Sequence, residues 1–226
     1  VLGALAAAFI PVFTRSWFRN KKQAFLLANT LLNYLVVCIL LISLVMYIFA
    51  PKLVSIITPG FSGEVLMQTI TLSRIMLLSI IFFTISNVIG GILNSLKRFF
   101  TFSLAPVFYN LGIIVGITFF HSIWGIEGLA WGVVFGSVLH LLVQIPEVLK
   151  VGYRYSFNWK ITGSVKRVFK LMIPRTIGLA ASQVNQLVIT GIASTLAVGS
   201  IAVFNLANNL QSLPTSIFGV SLAIAV

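Results

Sequence analysis

Long apolar runs separated by short polar connections set the pattern of this chain. The runs cover residues 1–14, 24–50, 69–96, 101–120, 129–145, 171–198 and 201–226. A bilayer core about 30 Å thick takes roughly 20 helical residues to cross. The pattern therefore predicts an all-α integral membrane protein, a polytopic helical bundle whose first and last spans are partial. Val1 is not an initiator methionine and both ends fall inside apolar runs, so the chain reads as a window of a longer protein. Pro51 is expected to close the second span and Pro146 the fifth, with a turn at Thr58-Pro59-Gly60-Phe61.

Composition sharpens the picture. Of 226 residues, 59% are hydrophobic and 8% charged, whereas soluble domains carry about 25% charged residues. A soluble fold of this length is excluded. The net charge of +12 is not spread evenly. Loops after the first, third and fifth runs hold four, two and six Lys and Arg, and those after the second and fourth hold one and none. Basic loops face the cytoplasm and meet anionic lipid there, which places residues 15–22, 97–98 and 147–170 on that side and argues against nucleic acid as the partner. Cys38 lies inside a span and offers neither a disulfide nor a metal framework.

The chemistry-bearing residues are few. Glu64, Glu127 and Glu147 fall in connections, and His121 and His140 are far apart in sequence, so no catalytic, cofactor or metal constellation is expected. Gly90-Gly91, Gly112 and Gly116, and Gly128, Gly132 and Gly136 recur at helix-face spacing, which in membranes serves close helix approach. Arg74, near the outer end of its span, reads as snorkelling to the interface. Arg175 follows Pro174 and is either a lipid-facing anchor or a fixed guanidinium aimed into a cavity. Ser182, Gln183, Asn185 and Gln186 on one run, with Asn205, Asn208, Asn209 and Gln211 on the next, form a polar seam. An amide in hydrocarbon needs a partner or water. The seam is thus either interhelical hydrogen bonding or the wall of a wet cavity.

Several motifs, in this order, resemble one family. They are Phe9-Ile10-Pro11-Val12-Phe13-Thr14, Pro59-Gly60-Phe61, Gly91-Ile92-Leu93-Asn94-Ser95 through Arg98-Phe99-Phe100, Leu104-Ala105-Pro106-Val107 with Asn110, and Leu213-Pro214 with Gly219-Val220. The chain is similar to the MurJ (MviN) lipid II flippases of the multidrug/oligosaccharidyl-lipid/polysaccharide exporter superfamily, from the end of their second helix into their eighth. The resemblance implies a MATE-like two-lobe exporter fold, here partial: residues 1–146 as the rest of an N-terminal six-helix lobe, 147–170 as a basic linker, and 171–226 as the start of the C-terminal lobe. It also implies a cationic cavity and a lipid-linked peptidoglycan precursor as substrate, moved across the bacterial cytoplasmic membrane by alternating access. Arg175, Gln183, Asn185, Asn205, Asn208 and Asn209 are the expected cavity residues. The chain departs from the family at Asn208-Asn209, where an acid–arginine pair is usual. An exporter of another lipid-linked oligosaccharide and a non-transporting membrane scaffold are the alternatives. No coupling ion is assigned.

Overall fold

The computed structural model describes residues 2–214, with side chains from 5 to 212; the end of the last expected span and the Gly219-Val220 motif lie outside the described residues. The chain folds as α1 (Leu2–Arg19), α2 (Lys21–Ile57), α3 (Gly63–Ser95), α4 (Phe99–Val115), a π-turn at Gly116–Phe120, α5 (His121–Trp124), α6 (Ile126–Leu142), α7 (Ile145–Lys150), α8 (Gly163–Ser194) and α9 (Ser200–Pro214). Among the described residues, four continuous rods are long and apolar enough to cross a membrane: Lys21–Ile57, Gly63–Ser95, Phe99–Trp124 and Ile126–Lys150. The chain is a helical membrane bundle. At 32 residues α8 has the length, but Gln183, Asn185 and Gln186 dilute its middle and it falls outside that set.

Helices outrun the apolar runs at most boundaries. The first continues to Arg19, the third starts at Gly63 and α8 starts at Gly163, although α8 ends at Ser194, short of its run's end at 198. The apolar pattern marks the thickness of hydrocarbon, whereas the helix continues until its end is capped. Asn20 Oδ1 accepts from Gln23 N at 3.2 Å and so opens α2, and Thr162 Oγ1 accepts from Val165 N at 3.4 Å to open α8. The expected stop at Pro51 is also corrected, since α2 runs through it to Ile57. Proline lacks an N–H, so the carbonyl four residues earlier loses its helical donor. That carbonyl is Tyr47 O, and Arg74 Nε of α3 donates to it at 3.1 Å. The guanidinium also lies over the Tyr47 ring, 4.8 Å from its centroid. Arg74 therefore supplies the missing donor instead of snorkelling.

The core forms where α1, α2, α3 and the first turns of α8 meet. Phe9, Phe13, Leu31, Ile92, Val165 and Val168 are among its fully buried members. Outside it, the middle of α2 presents Leu41, Leu44, Ile48 and Phe49 outward, a surface suited to lipid. Beside it, α4 and α6 cross through glycines: a Cβ on Gly132 would lie 2.5 Å from Gly116 Cα, and Gly112 meets Gly136 as closely. The recurring glycines thus serve backbone contact between helices. Gly125, at φ 57° and ψ −138°, makes the reversal into α6 in a backbone region that only glycine adopts readily.

The two ends of the bundle differ in charge. At one end Arg98 Nε lies 3.5 Å and Lys150 Nζ 3.7 Å from the Glu147 carboxylate, which ties the connection after α3 to α7. The α1–α2 corner and the start of α8 share this end through a common cleft at Arg15 and Arg167. At the other end Gly60 N donates to Ser194 Oγ at 3.2 Å, which brings the α2–α3 turn against the end of α8. All three basic loops therefore gather at one end.

Candidate functional site

The six residues expected to line a cavity sit on the α8–α9 hairpin. Arg175, Gln183 and Asn185 are on α8, and Asn205, Asn208 and Asn209 are on α9. All six are exposed. At 1.5 Å of rise per residue, Asn185 and Asn209 each lie about 14 Å from the hairpin turn, and Gln183 about 17 Å. These amides therefore share a level near mid-helix. Asn205 is shallower: it lines a cleft of about 690 Å³ with Thr58, Gly60, Thr190 and Ser194 at the less basic end. Arg175 lies about 28 Å from the turn on the same reckoning, toward the basic end and away from the amides.

Helix α8 meets the preceding helices near both of its ends. Val165 and Val168 are buried in the core beside Phe9 and Phe13. At the far end Ala193 and Ser194 are buried, and Gly60 touches Ser194 so closely that a Cβ there would strike the Ser194 backbone. Between these two contacts the stretch carrying Arg175, Gln183 and Asn185 is exposed. The helix thus bridges an open middle with its polar patch.

A second polar arrangement joins α2 to the segment between α7 and α8. Tyr153 Oη donates to Asn29 Oδ1 at 2.5 Å and Tyr155 Oη to Asn33 Oδ1 at 2.7 Å. In return Asn29 Nδ2 donates to Ser156 Oγ at 2.8 Å and Asn33 Nδ2 to Asn158 O at 2.9 Å. Asn158 Nδ2 reaches Thr30 Oγ1 at 2.8 Å, and Tyr34 Oη reaches Trp159 O at 3.2 Å. This strap roofs an apolar cleft of about 450 Å³ over Leu32, Val36, Ile85 and Ile89. Burial, and secondarily the neighbouring Tyr155, raises the Tyr153 hydroxyl pKa above its usual value.

A third arrangement absorbs His140. Its Nδ1 lies 2.6 Å from Ser86 Oγ, while Gln144 Nε2 donates to Ser86 Oγ at 2.6 Å and to His140 O at 2.9 Å. The fully buried Gln144 rests its unpartnered Oε1 over Gly90, where a Cβ would be only 3.0 Å away. The histidine is thereby held by Ser86 of α3 and by Gln144 just before α7, and among the described residues no three His, Cys, Asp or Glu side chains gather as metal ligands.

Residues 2–226 match the family described as Lipid II flippase MurJ. The chain belongs to this family. It is 31% identical over 229 residues to the probable lipid II flippase MurJ of Borreliella burgdorferi, covering 99% of this chain and 44% of that protein. With the lipid II flippase MurJ of Burkholderia cenocepacia it shares 30% identity over 233 residues, 97% of this chain and 45% of that protein. A solved structure of a lipid II flippase MurJ in an inward closed conformation superposes with a TM-score of 0.81 at 26% identity, over 99% of this chain and 46% of that one. The chain spans less than half the length of these MurJ proteins. The motif resemblance read from the sequence is thus shown at family level.

Two of the arrangements above were not read from the sequence, and only the strap left a trace in it. Asn29, Thr30, Asn33 and Tyr34 recur at helical spacing inside an apolar run, which marks one polar stripe on α2. Tyr153, Tyr155, Phe157 and Trp159 alternate with polar residues, the period of an extended segment. The Ser86–His140–Gln144 bracket joins residues 54 and 58 positions apart and left no such trace.

Proposed function

We propose that this chain is part of a flippase that moves a lipid-linked peptidoglycan precursor, lipid II, across the bacterial cytoplasmic membrane for cell-wall synthesis. It does so by alternating access, as a transporter and not an enzyme. The observation that carries this reading is the family match over residues 2–226. A disaccharide-pentapeptide on a diphosphate is too polar to enter hydrocarbon, while its polyprenyl tail is at home there. The protein's task is then to provide a wet, donor-rich path for the headgroup alone.

Residues 1–146 act as the rest of an N-terminal lobe, 147–170 as the cytoplasmic linker and 171–226 as the start of the C-terminal lobe. The basic loops 15–22, 97–98 and 147–170 face the cytoplasm and its anionic lipids. The gathering of basic loops at one end of the bundle supports that orientation. Arg175, Gln183, Asn185, Asn205, Asn208 and Asn209 line the headgroup path. Support comes from the exposed polar stretch of α8 between its two contacts with the preceding helices. Arg175 offers a fixed fork of donors to a diphosphate, and the amides donate to sugar and peptide oxygens.

The test is reconstitution of the full-length protein in vesicles carrying labelled lipid II, with accessibility of the label to an impermeant enzyme as the readout. Protein-dependent equilibration between leaflets is expected. Vesicles that equilibrate a different lipid-linked glycan but not lipid II would overturn the substrate assignment.

A further inference from the structure

Among the described residues, one cleft gathers two arginines and no acid. Between α1 and α8, at the basic end, Arg15, Ser16, Ser164 and Arg167 wall a small cleft of about 170 Å³ over Val12 and Leu171. Arg15 of α1 and Arg167 of α8 both line it. The chain has only three acids, and none serves this cleft. Glu64 opens α3 and Glu127 opens α6, both at the opposite end of the bundle. Glu147 is taken by Arg98 and Lys150. Both arginines are exposed, so solvent screens much of their mutual repulsion, and an anion held between them would offset what remains. Beneath it Phe13, Val165 and Val168 are buried, so the cleft stands on packed helices and not on loops.

The remaining chemistry fits one class of anion. Arginine presents a planar fork of donors that matches phosphate oxygens in pairs. Two serine hydroxyls add donors that need no charge. Ser164 belongs to the first turn of α8, so the helix dipole there adds to the positive potential. The position lies at the end of the bundle where bilayer headgroups meet the protein, and the apolar floor suits the first carbons of a lipid.

We propose that this cleft binds the phosphate of a lipid headgroup and thereby clasps α1 to α8. Two sources carry that chemistry: an anionic phospholipid of the bilayer, and the diphosphate of the lipid-linked substrate. Only the second source rests on the flippase reading. On the division given above, the clasp joins the N-terminal lobe to the end of the linker that leads into the C-terminal lobe, so a bound phosphate holds the start of α8 against α1.

The experiment is native mass spectrometry of the full-length protein in detergent, titrated in separate arms with phosphatidylglycerol and with undecaprenyl diphosphate. Phosphatidylcholine serves as the net-neutral reference. Arg15→Gln/Arg167→Gln should bind at least one of the two anionic lipids at least tenfold more weakly. Lys21→Gln/Lys22→Gln removes the same charge from the same end and, as part of the general basic surface, should weaken binding by no more than about twofold. Ser164→Asp keeps a good helix start but puts a carboxylate in the cleft, and should lose binding even if the arginine pair proves necessary for folding. Weakening in the phospholipid arm alone assigns a bilayer lipid; weakening in the diphosphate arm assigns the substrate. Unchanged affinity in both arms, or an equal loss in the lysine variant, overturns the site. Binding is read directly, so a failed transport assay would leave this result standing.

Discussion

Arg74 and Pro51 give the sharpest energetic test of the fold. Tyr47 O has no N–H four residues on, because Pro51 occupies that position, and its one described donor is Arg74 Nε at 3.1 Å. Replacing Arg74 by methionine keeps an apolar stem and removes the donor. A hydrogen bond from a charged donor contributes about 1.5–3 kcal/mol, and the guanidinium over the Tyr47 ring contributes roughly 0.5–1 kcal/mol at a partly exposed site. The half-buried position favours the lower part of each range, so Arg74→Met should cost about 2 kcal/mol. Pro51→Ala restores the backbone donor. In that background the same change should cost well under about 1 kcal/mol, leaving a coupling of about 1 kcal/mol or more between the two positions. The assay is a double-mutant cycle on the purified full-length protein, unfolded by heat or by denaturing detergent. Equal cost of Arg74→Met in both backgrounds would refute the reasoning, since the arginine would then be acting elsewhere.

Three further outcomes follow from the same geometry. Gly132→Ala should destabilise by more than about 2 kcal/mol, because its Cβ meets the Gly116 backbone, whereas Gly178→Ala, with open space around it, should be neutral or gain up to about 1 kcal/mol of helix propensity; thermal unfolding of both separates a packed seam from a general intolerance of change. For the strap, the raised Tyr153 pKa means that the folded state holds the phenolic proton more tightly than the unfolded one. Its contribution is therefore fully present below the unfolded value of about 10 and is lost as pH rises above it. Alkaline unfolding should be steeper in wild type than in Tyr153→Phe, and identical slopes would contradict it. Finally, Arg175→Ala should reduce lipid II transport per folded molecule by about tenfold or more, as expected for losing a charge-assisted contact, while Arg74→Ala should lower the amount of folded protein and leave transport per molecule near normal.

How much of this was legible in the sequence depends on the range of the interaction. Apolar runs located the membrane helices, because hydrocarbon thickness acts on contiguous residues. The glycines of α4 and α6 announced their packing by spacing alone. Pro51 misled because the donor that rescues its helix comes from Arg74 on α3, and no local rule shows that pairing. The connection after residue 146 read as one polar segment. In the structure, helix reaches Lys150 and resumes at Gly163, and the stretch between is pinned by Asn29 and Asn33. For Gln183, Asn185, Asn208 and Asn209 the sequence supplied the chemistry but not the partner, since an amide on an exposed helix face serves equally a neighbouring helix or a wet cavity. The arginines at positions 15 and 167 looked like ordinary loop charges until the fold brought them to one cleft.

The proposed transport of the cell-wall precursor is tested most directly in living cells. Bacteria depleted of their own precursor flippase should regain growth when they express the full-length protein, and lipid II should reappear at the outer leaflet. Confirmed membrane expression with neither growth nor outer-leaflet lipid II would contradict the claim.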